Sequence, residues 1–352
     1  MYKDIIAFVK ENVMPIQPHG CTCFIISSRM LRQLADEAEP AERHRLLDQC
    51  EMSAHLRGQR SVALTLVGTA APGEKRRTVY DARHKATLPG KLMRGEGSMA
   101  VADVSVNQAY DGAGTTYDFF REVLKRNSID NKGLRIDSTV HYQTRFNNAF
   151  WNGQQMVYGD GDGKLFLGFT HALEVIAHEL THGVTQHAVP GGLVYENQSG
   201  ALNESISDVF GSLVKQWKLK QSAEQADWLI GSGILAASVG KALRSMADPG
   251  NKELTWSGDE QPKTMAGYVD GGDVHTNSGI PNHAFYAAAI ALKGNAWEKA
   301  GPIWYKALGL LTSTATFADM AKATTQAAVL LYGADSAEQH AVQAAWKVVG
   351  VV

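Results

Sequence analysis

Cysteine is scarce in this chain. Of its 352 residues only Cys21, Cys23 and Cys50 are cysteine, and the 302 positions after Cys50 have none. Most of the chain therefore uses neither disulfides nor thiolate zinc ligands, and an odd count argues for reduced thiols. A charge surplus is lacking too: 34 Lys and Arg stand against 36 Asp and Glu, a formal net charge of −2. That balance gives no electrostatic case for nucleic acid or an anionic membrane as partner. No apolar run reaches the ~20 residues of a membrane helix. The opening stretch MYKDIIAFVKENVMPIQP is interrupted by Asp4, Lys10 and Glu11, so it lacks the apolar run of a secretory signal. Synthesis in the cytoplasm is the expectation, with extracellular release by a non-standard route left open. Internal repeats and low-complexity segments are also missing. What is present, 44% hydrophobic and 20% charged residues, is ordinary for globular protein, and the length allows two or three compact units.

Patterning changes along the chain. SRMLRQLADEAE (28–39) and AERHRLLDQCEMSAHLR (41–57) have helical spacing and many charges. SVALTLVG (61–68) and RRTVYDAR (76–83) alternate like strands around TAAPGEK, which reads as an exposed, protease-accessible loop. From about 80 to 170 come short β-like runs such as LRIDSTVHY (134–142), with one predicted helix at 115–127. After 170, segments such as HALEVIAHELTHGVTQHA and NESISDVFGSLVKQW take helical periodicity to the C-terminus. The pattern is a β-rich half followed by a helical half. GSGILA (231–236) lacks the strand–helix context of a dinucleotide fingerprint and reads as a loop. GDGDG (159–163) continues into Lys164 with no calcium-loop spacing, and reads as a turn.

The chemistry is concentrated in HELTH, residues 178–182. Positions i and i+4 share a helix face, so His178 and His182 can point two imidazoles at one ion, with Glu179 beside them. A catalytic zinc wants three protein ligands and an open position for water. Glu204, in GALNESISD and 22 positions after His182, can be the third ligand from a second helix. Asp208, one turn further on, can accept the second ring N–H of a ligand histidine, and Asn203 can do so for the other. The alternative is a solvated helix with chance histidines, or a zinc-stabilised binding protein without catalysis. That second reading calls for loss of Glu179, His275 or a zinc ligand, and none is lost. An aminopeptidase built on the same zinc motif would need an acidic group for the substrate's amino terminus, for which no motif is present.

HELTH with GALNESISD resembles the thermolysin family of neutral zinc metalloproteases, the gluzincins. The likeness runs from about residue 76 to the end and includes NNAFWNGQQMVYGDGDG, LVYENQSGALNE, ALRSMADP and DVHTNSGIPN. It implies an α+β fold with a β-rich N-terminal lobe, a helical C-terminal lobe and the zinc helix between them. The expected units are 1–60 (boundary within 50–75), 61–192 with the zinc helix, and 193–352. It implies one catalytic zinc on His178, His182 and Glu204, with Glu179 as general base. Tyr195 and His275 are implied as oxyanion donors, with Asp270 orienting His275. Asn148 and the backbone of Ala149 would hold the substrate main chain, and Arg244 a substrate carbonyl. Phe166, Phe169, Val175 and Leu243 would line an apolar pocket for the residue after the scissile bond, favouring Leu, Ile, Val or Phe there. Peptides or proteins are the implied substrates, and a monomer the expected state.

Two departures qualify the resemblance. Many relatives bind a calcium pair near the zinc helices through several carboxylates. Here Glu174 and Asp227 fit such positions, but Lys215, Leu229 and Ser232 stand where further acids are usual. The double calcium site is expected to be absent, with Lys215 paired to Glu174 instead. The front of the chain resembles the protealysin-like branch, with a short propeptide, yet IISSRMLRQLA stands where a Pro-Pro pair is expected. Residues 1 to about 60 would be an inhibitory propeptide removed by self-cleavage in the 50–75 region. The CTC stretch adds the option that a Cys21 or Cys23 thiolate meets the zinc in the precursor.

Overall fold

The computed structural model describes residues 22–58 and 74–352. The predicted strand at 61–68 and Cys21 lie outside them. The N-terminal segment comprises β1 (Cys23–Phe24), α1 (Ser28–Asp36) and α2 (Pro40–Gly58). Ser27 caps α1 by accepting from the Met30 N–H, which turns an extended chain into a helix at one residue.

The β-rich part holds β2 (Arg77–Asp81), β3 (Lys91–Gly95), α3 (Val104–Leu124), β4 (Ile136–Val140), β5 (Ala149–Trp151) and β6 (Met156–Tyr158). Its five strands and β1 of the N-terminal segment form one six-stranded sheet in the order β1-β5-β6-β4-β2-β3. β1 is antiparallel to β5, with Cys23 opposite Trp151 and Phe24 opposite Phe150. α3 starts earlier than the predicted 115–127, capped by Asp103 on the Val106 N–H. Gly112 and Gly114 weaken the helical signal of that first half. Gly112 is there for contact: a Cβ would lie 2.5 Å from the Ile176 side chain. GDGDG is a turn, with Asp162 Oδ1 accepting from the N–H groups of Lys164, Leu165 and Phe166.

The helical part begins with α4 (Leu173–Ala188) and α5 (Asn197–Leu219). A Cβ at Gly211 would sit 2.6 Å from the Glu174 carbonyl oxygen, so glycine lets these two helices close on each other. A short ribbon follows, β7 (Leu229–Ile230) with β8 (Arg244–Ser245). Then come α6 (Val274–Asn277), α7 (Gly279–Leu292), α8 (Ala300–Leu308), α9 (Phe317–Tyr332) and α10 (Ala337–Val348). GSGILA is a loop after β7.

One hydrophobic cluster spans both parts, and Ile25, Ile26, Met30 and Leu31 of the N-terminal segment belong to it. Phe24 instead joins Tyr142, Phe146 and Phe150 in a smaller aromatic cluster, against which Met52 and Leu56 of α2 pack. The N-terminal segment is thus seated in the body at two places, a strand in the cleft and a helix over the loop before β5.

Candidate active site

α4 buries His178, Glu179 and His182 on the face that meets α5. α5 answers with Asn203, Glu204 and Asp208, all buried. His178 Nδ1 donates to Asp208 Oδ1 at 2.8 Å. His182 Nδ1 lies 2.8 Å from Asn203 Oδ1 and 3.0 Å from Ser207 Oγ. Those partners leave both Nε2 atoms as bare acceptors, 3.0 Å apart. Two lone pairs face each other at that distance only around a shared cation or proton. Zinc bonds of ~2.05 Å in a tetrahedron would set two ligand atoms ~3.3 Å apart, close to what is seen. Glu204 completes the set, with Oε2 3.4 Å from His178 Nε2 and Oε1 3.5 Å from His182 Nε2. Among the described residues these three form the one His/Cys/Asp/Glu cluster whose donor atoms all lie within 4.8 Å of one another. Two nitrogens and one carboxylate fit a catalytic zinc. Cys23 is buried in β1 and is not a member of that cluster.

Asp208 does more than orient His178. It also accepts from Arg244 Nε at 2.9 Å, Arg244 Nη2 at 2.8 Å and Asn282 Nδ2 at 2.8 Å. Burial alone would raise its carboxyl, but Arg244 and His178 hold it down at about 2. Glu179 is different. Its Oε2 accepts from the Trp151 N–H at 2.9 Å, and burial pushes its carboxyl well above the ordinary range. A carboxylate raised in this way is a stronger base.

Tyr195 donates to Glu204 Oε1 and its oxygen lies 3.4 Å from His275 Nε2. His275 Nε2 donates to the Phe24 carbonyl at 2.7 Å. The acid on His275 is not Asp270 as expected: Asp273 Oδ1 lies 3.1 Å from Nδ1. Asp273 is the cap of α6 and already accepts from the His275 N–H at 2.9 Å, so the backbone turn brings its carboxylate under the ring. Gln261 Nε2 steadies the same residue through the His275 carbonyl at 2.6 Å. Asp273, Gln261, Ser207 and Trp151 were not among the expected site residues. Only Asp273 carried a sequence signal, an Asp immediately before a short helix and two positions before His275.

The main-chain contacts of the cleft are occupied by this chain's own residues 24–26. The Ile25 N–H donates to the Ala149 carbonyl at 3.2 Å. The Ile26 N–H donates to Asn148 Oδ1 at 3.0 Å, and Asn148 Nδ2 returns a bond to the Ile26 carbonyl at 3.0 Å. Arg244 Nη1 reaches the Ile25 carbonyl at 3.4 Å. Phe166, Phe169, Val175 and Leu243 are buried in the cluster that contains Ile25. The two phenylalanines stack at 5.9 Å, and Leu243 lines a cavity of about 40 Å³ with Ile25. Outside the cleft, Arg29 of α1 pairs with Glu260 and donates to Thr276 Oγ1 at 3.3 Å. Behind α4, Lys215 lies 3.8 Å from Glu174 and 2.9 Å from Asp227, and the Ser232 N–H donates to Glu174 Oε1.

Such a helix pair, with a peptide strand laid across its ligands, places the protein in the class of zinc metallopeptidases. Two family models match it: "Thermolysin metallopeptidase, catalytic domain" over residues 64–186 and "Thermolysin metallopeptidase, alpha-helical domain" over residues 191–351. The chain is 52% identical over 289 residues to an extracellular metalloprotease of Pectobacterium carotovorum subsp. carotovorum, covering 79% of this chain and 82% of that one. It is 43% identical to bacillolysin of Bacillus cereus, covering 77% of this chain and 48% of the other. The structure of the precursor of protealysin, a metalloproteinase from Serratia proteamaculans, superposes with a TM-score of 0.84 at 47% identity, covering 94% of this chain and all of that one.

The chain belongs to the thermolysin metallopeptidase family. It is a zinc metalloendopeptidase, and its N-terminal segment is a propeptide.

Proposed function

We propose that the protein cleaves peptide bonds on the N-terminal side of large apolar residues, and that it is made as a self-inhibited precursor that matures by its own catalysis, with final cleavage in the 50–75 region. One observation carries this reading: residues 24–26 lie extended in the cleft, on Asn148, Ala149, Arg244 and His275. Extended peptides bind sheet edges through main-chain bonds, while pockets give preference. The side chain that follows the bond at His275 is Ile25, which agrees with the apolar set Phe166, Phe169, Val175 and Leu243.

Each residue has a task. His178, His182 and Glu204 would hold the zinc, which when bound polarises the scissile carbonyl and acidifies a water. Glu179 takes a proton from that water and passes it to the leaving nitrogen. Tyr195 and His275 donate to the oxygen on which negative charge develops. Arg244 holds the carbonyl of the next residue, and Asp208 holds Arg244. Lys215 joins Glu174 to Asp227 by charge, in place of the calcium pair that the family resemblance would put there.

The test is intact mass over time, beside hydrolysis of a peptide with Leu, Ile, Val or Phe after the bond. Wild type is expected to shorten by its propeptide and to cut the peptide. Glu179→Ala should lower kcat by about 10²–10⁴-fold, and a zinc chelator should abolish both reactions. Cleavage before charged residues, or full activity of Glu179→Ala, would refute the reading.

A further inference from the structure

We infer that the Phe24–Ile25 peptide bond is itself a substrate of this active site, cut within the same molecule before the propeptide is removed. This rests on the peptidase reading above and extends it to a defined bond.

The strand in the cleft runs in a productive direction and carries the contacts assigned to a substrate. β1 is antiparallel to β5, which sends Ile25 and Ile26 toward Asn148 and Arg244 and leaves Cys23 beside Trp151. Trp151 is the residue whose N–H holds Glu179 Oε2. The carbonyl of Phe24 sits on the oxyanion donor His275. The nitrogen of Ile25, which would leave, donates to the Ala149 carbonyl, and the Ile25 carbonyl is met by Arg244. Ile25 is fully buried, lines a cavity with Leu243, and belongs to the same hydrophobic core as Phe166, Phe169 and Val175.

Residues 50–58, at the front of the 50–75 region, are in a different state. They are the last turns of α2, and a helix offers no free main-chain edge to a strand-binding cleft. In this folded state the site can therefore reach Phe24–Ile25 but not the end of α2. The cut at Phe24–Ile25 therefore comes before any cut that needs the end of α2 to unwind.

The first step is a hydrolysis. The water oxygen bonds to the Phe24 carbonyl carbon, and the bond from that carbon to the Ile25 nitrogen breaks. Phe24 ends as a carboxylate. Both water protons end on the Ile25 nitrogen, the first by way of Glu179. The new ammonium keeps its acceptor, the Ala149 carbonyl, in a stronger, charge-assisted bond. Ile26 stays on Asn148, Arg29 on Glu260, and Gln49 of α2 on the Arg145 carbonyl and the Asn147 N–H. The cut therefore leaves the cleft covered.

The experiment uses the zinc-loaded full chain in a dilution series, read by intact mass and N-terminal sequencing. The expected result is a fragment of residues 1–24 and a new terminus at Ile25, formed at a rate independent of protein concentration. It should be absent in Glu179→Ala and slowed by at least about 10²-fold in Ile25→Asp. A second reading needs no catalysis: in the Glu179→Ala full chain, hydrogen exchange at the Ile25 and Ile26 amides should be slowed by about 10²-fold or more relative to free peptide. Free exchange at those amides, or a concentration-dependent cut, overturns the inference. So does a mature enzyme that cuts an added peptide before Ile while its precursor never opens Phe24–Ile25, and in that case the proposed function stands. Failure to cut either the peptide or the chain, even after a trace protease has removed the propeptide, sinks both.

Discussion

Between α4 and α5 both ligand histidines are held by buried side chains. His178 has Asp208, Asp208 has Arg244 and Asn282, and His182 has Asn203 and Ser207, all away from solvent. Residues 22–36 are attached otherwise. Their bonds to the body are mainly backbone to backbone or backbone to amide, and their main ion pair, Arg29 with Glu260, is partly exposed. Buried, charge-assisted networks are costly to disturb, whereas strand pairing and an exposed ion pair can be undone one contact at a time. The difference suits a body that must keep its ligands in place while a propeptide leaves it.

Breaking the buried side should have the largest effect. Asp208→Asn leaves Arg244 without its counter-charge and sets an NH2 donor where Arg244, Asn282 and His178 now share two acceptor oxygens. Zinc affinity is expected to fall by about 10–100-fold and stability by about 3–5 kcal/mol, read by chelator competition and urea unfolding. A change under 1 kcal/mol would mean that the network is not rigid and would erase the contrast. The middle effect belongs to Asn148→Ala. It removes both bonds to Ile26, worth about 1–3 kcal/mol, and should speed exchange at the Ile26 amide by about tenfold or more while amides of α4 stay protected. If α4 opens as well, the two regions unfold as one. The smallest effect is expected from Arg29→Ala. An exposed pair is worth about 0–1 kcal/mol, so propeptide retention should change less than threefold, and less still at high salt.

Much of this was legible in the sequence because its signals are local. HELTH sets two imidazoles one helical turn apart whatever surrounds it, and Glu204 to Asp208 repeats that spacing on α5. The change from β-like to helical pattern near 170 likewise follows from side-chain period alone. What was missed depends on contact across the chain. The first half of α3 is obscured by Gly112 and Gly114, whose reason is the nearness of Ile176 and Arg77. Asp270 stood at the family spacing from His275, but a cap geometry at Asp273 decides which carboxylate meets the ring. The role of Trp151 is invisible because it acts through its backbone N–H. That residues 24–26 lie in the cleft could not be read from IISSRML, since the partner strand is more than 120 positions away.

The sheet order has a consequence for the handling of the protein. β1 is the outermost strand, so its departure uncovers β5 along one side. A bare row of N–H and C=O groups is a template for any extended chain, including a neighbouring copy. The enzyme cannot blunt that edge with charge or proline without losing the use of it. During synthesis and folding, when concentrations of unfinished chains are high, the edge is covered by a strand of the same polypeptide. The propeptide then serves solubility as much as silence, and a chain made without it should be prone to clump before it can digest anything.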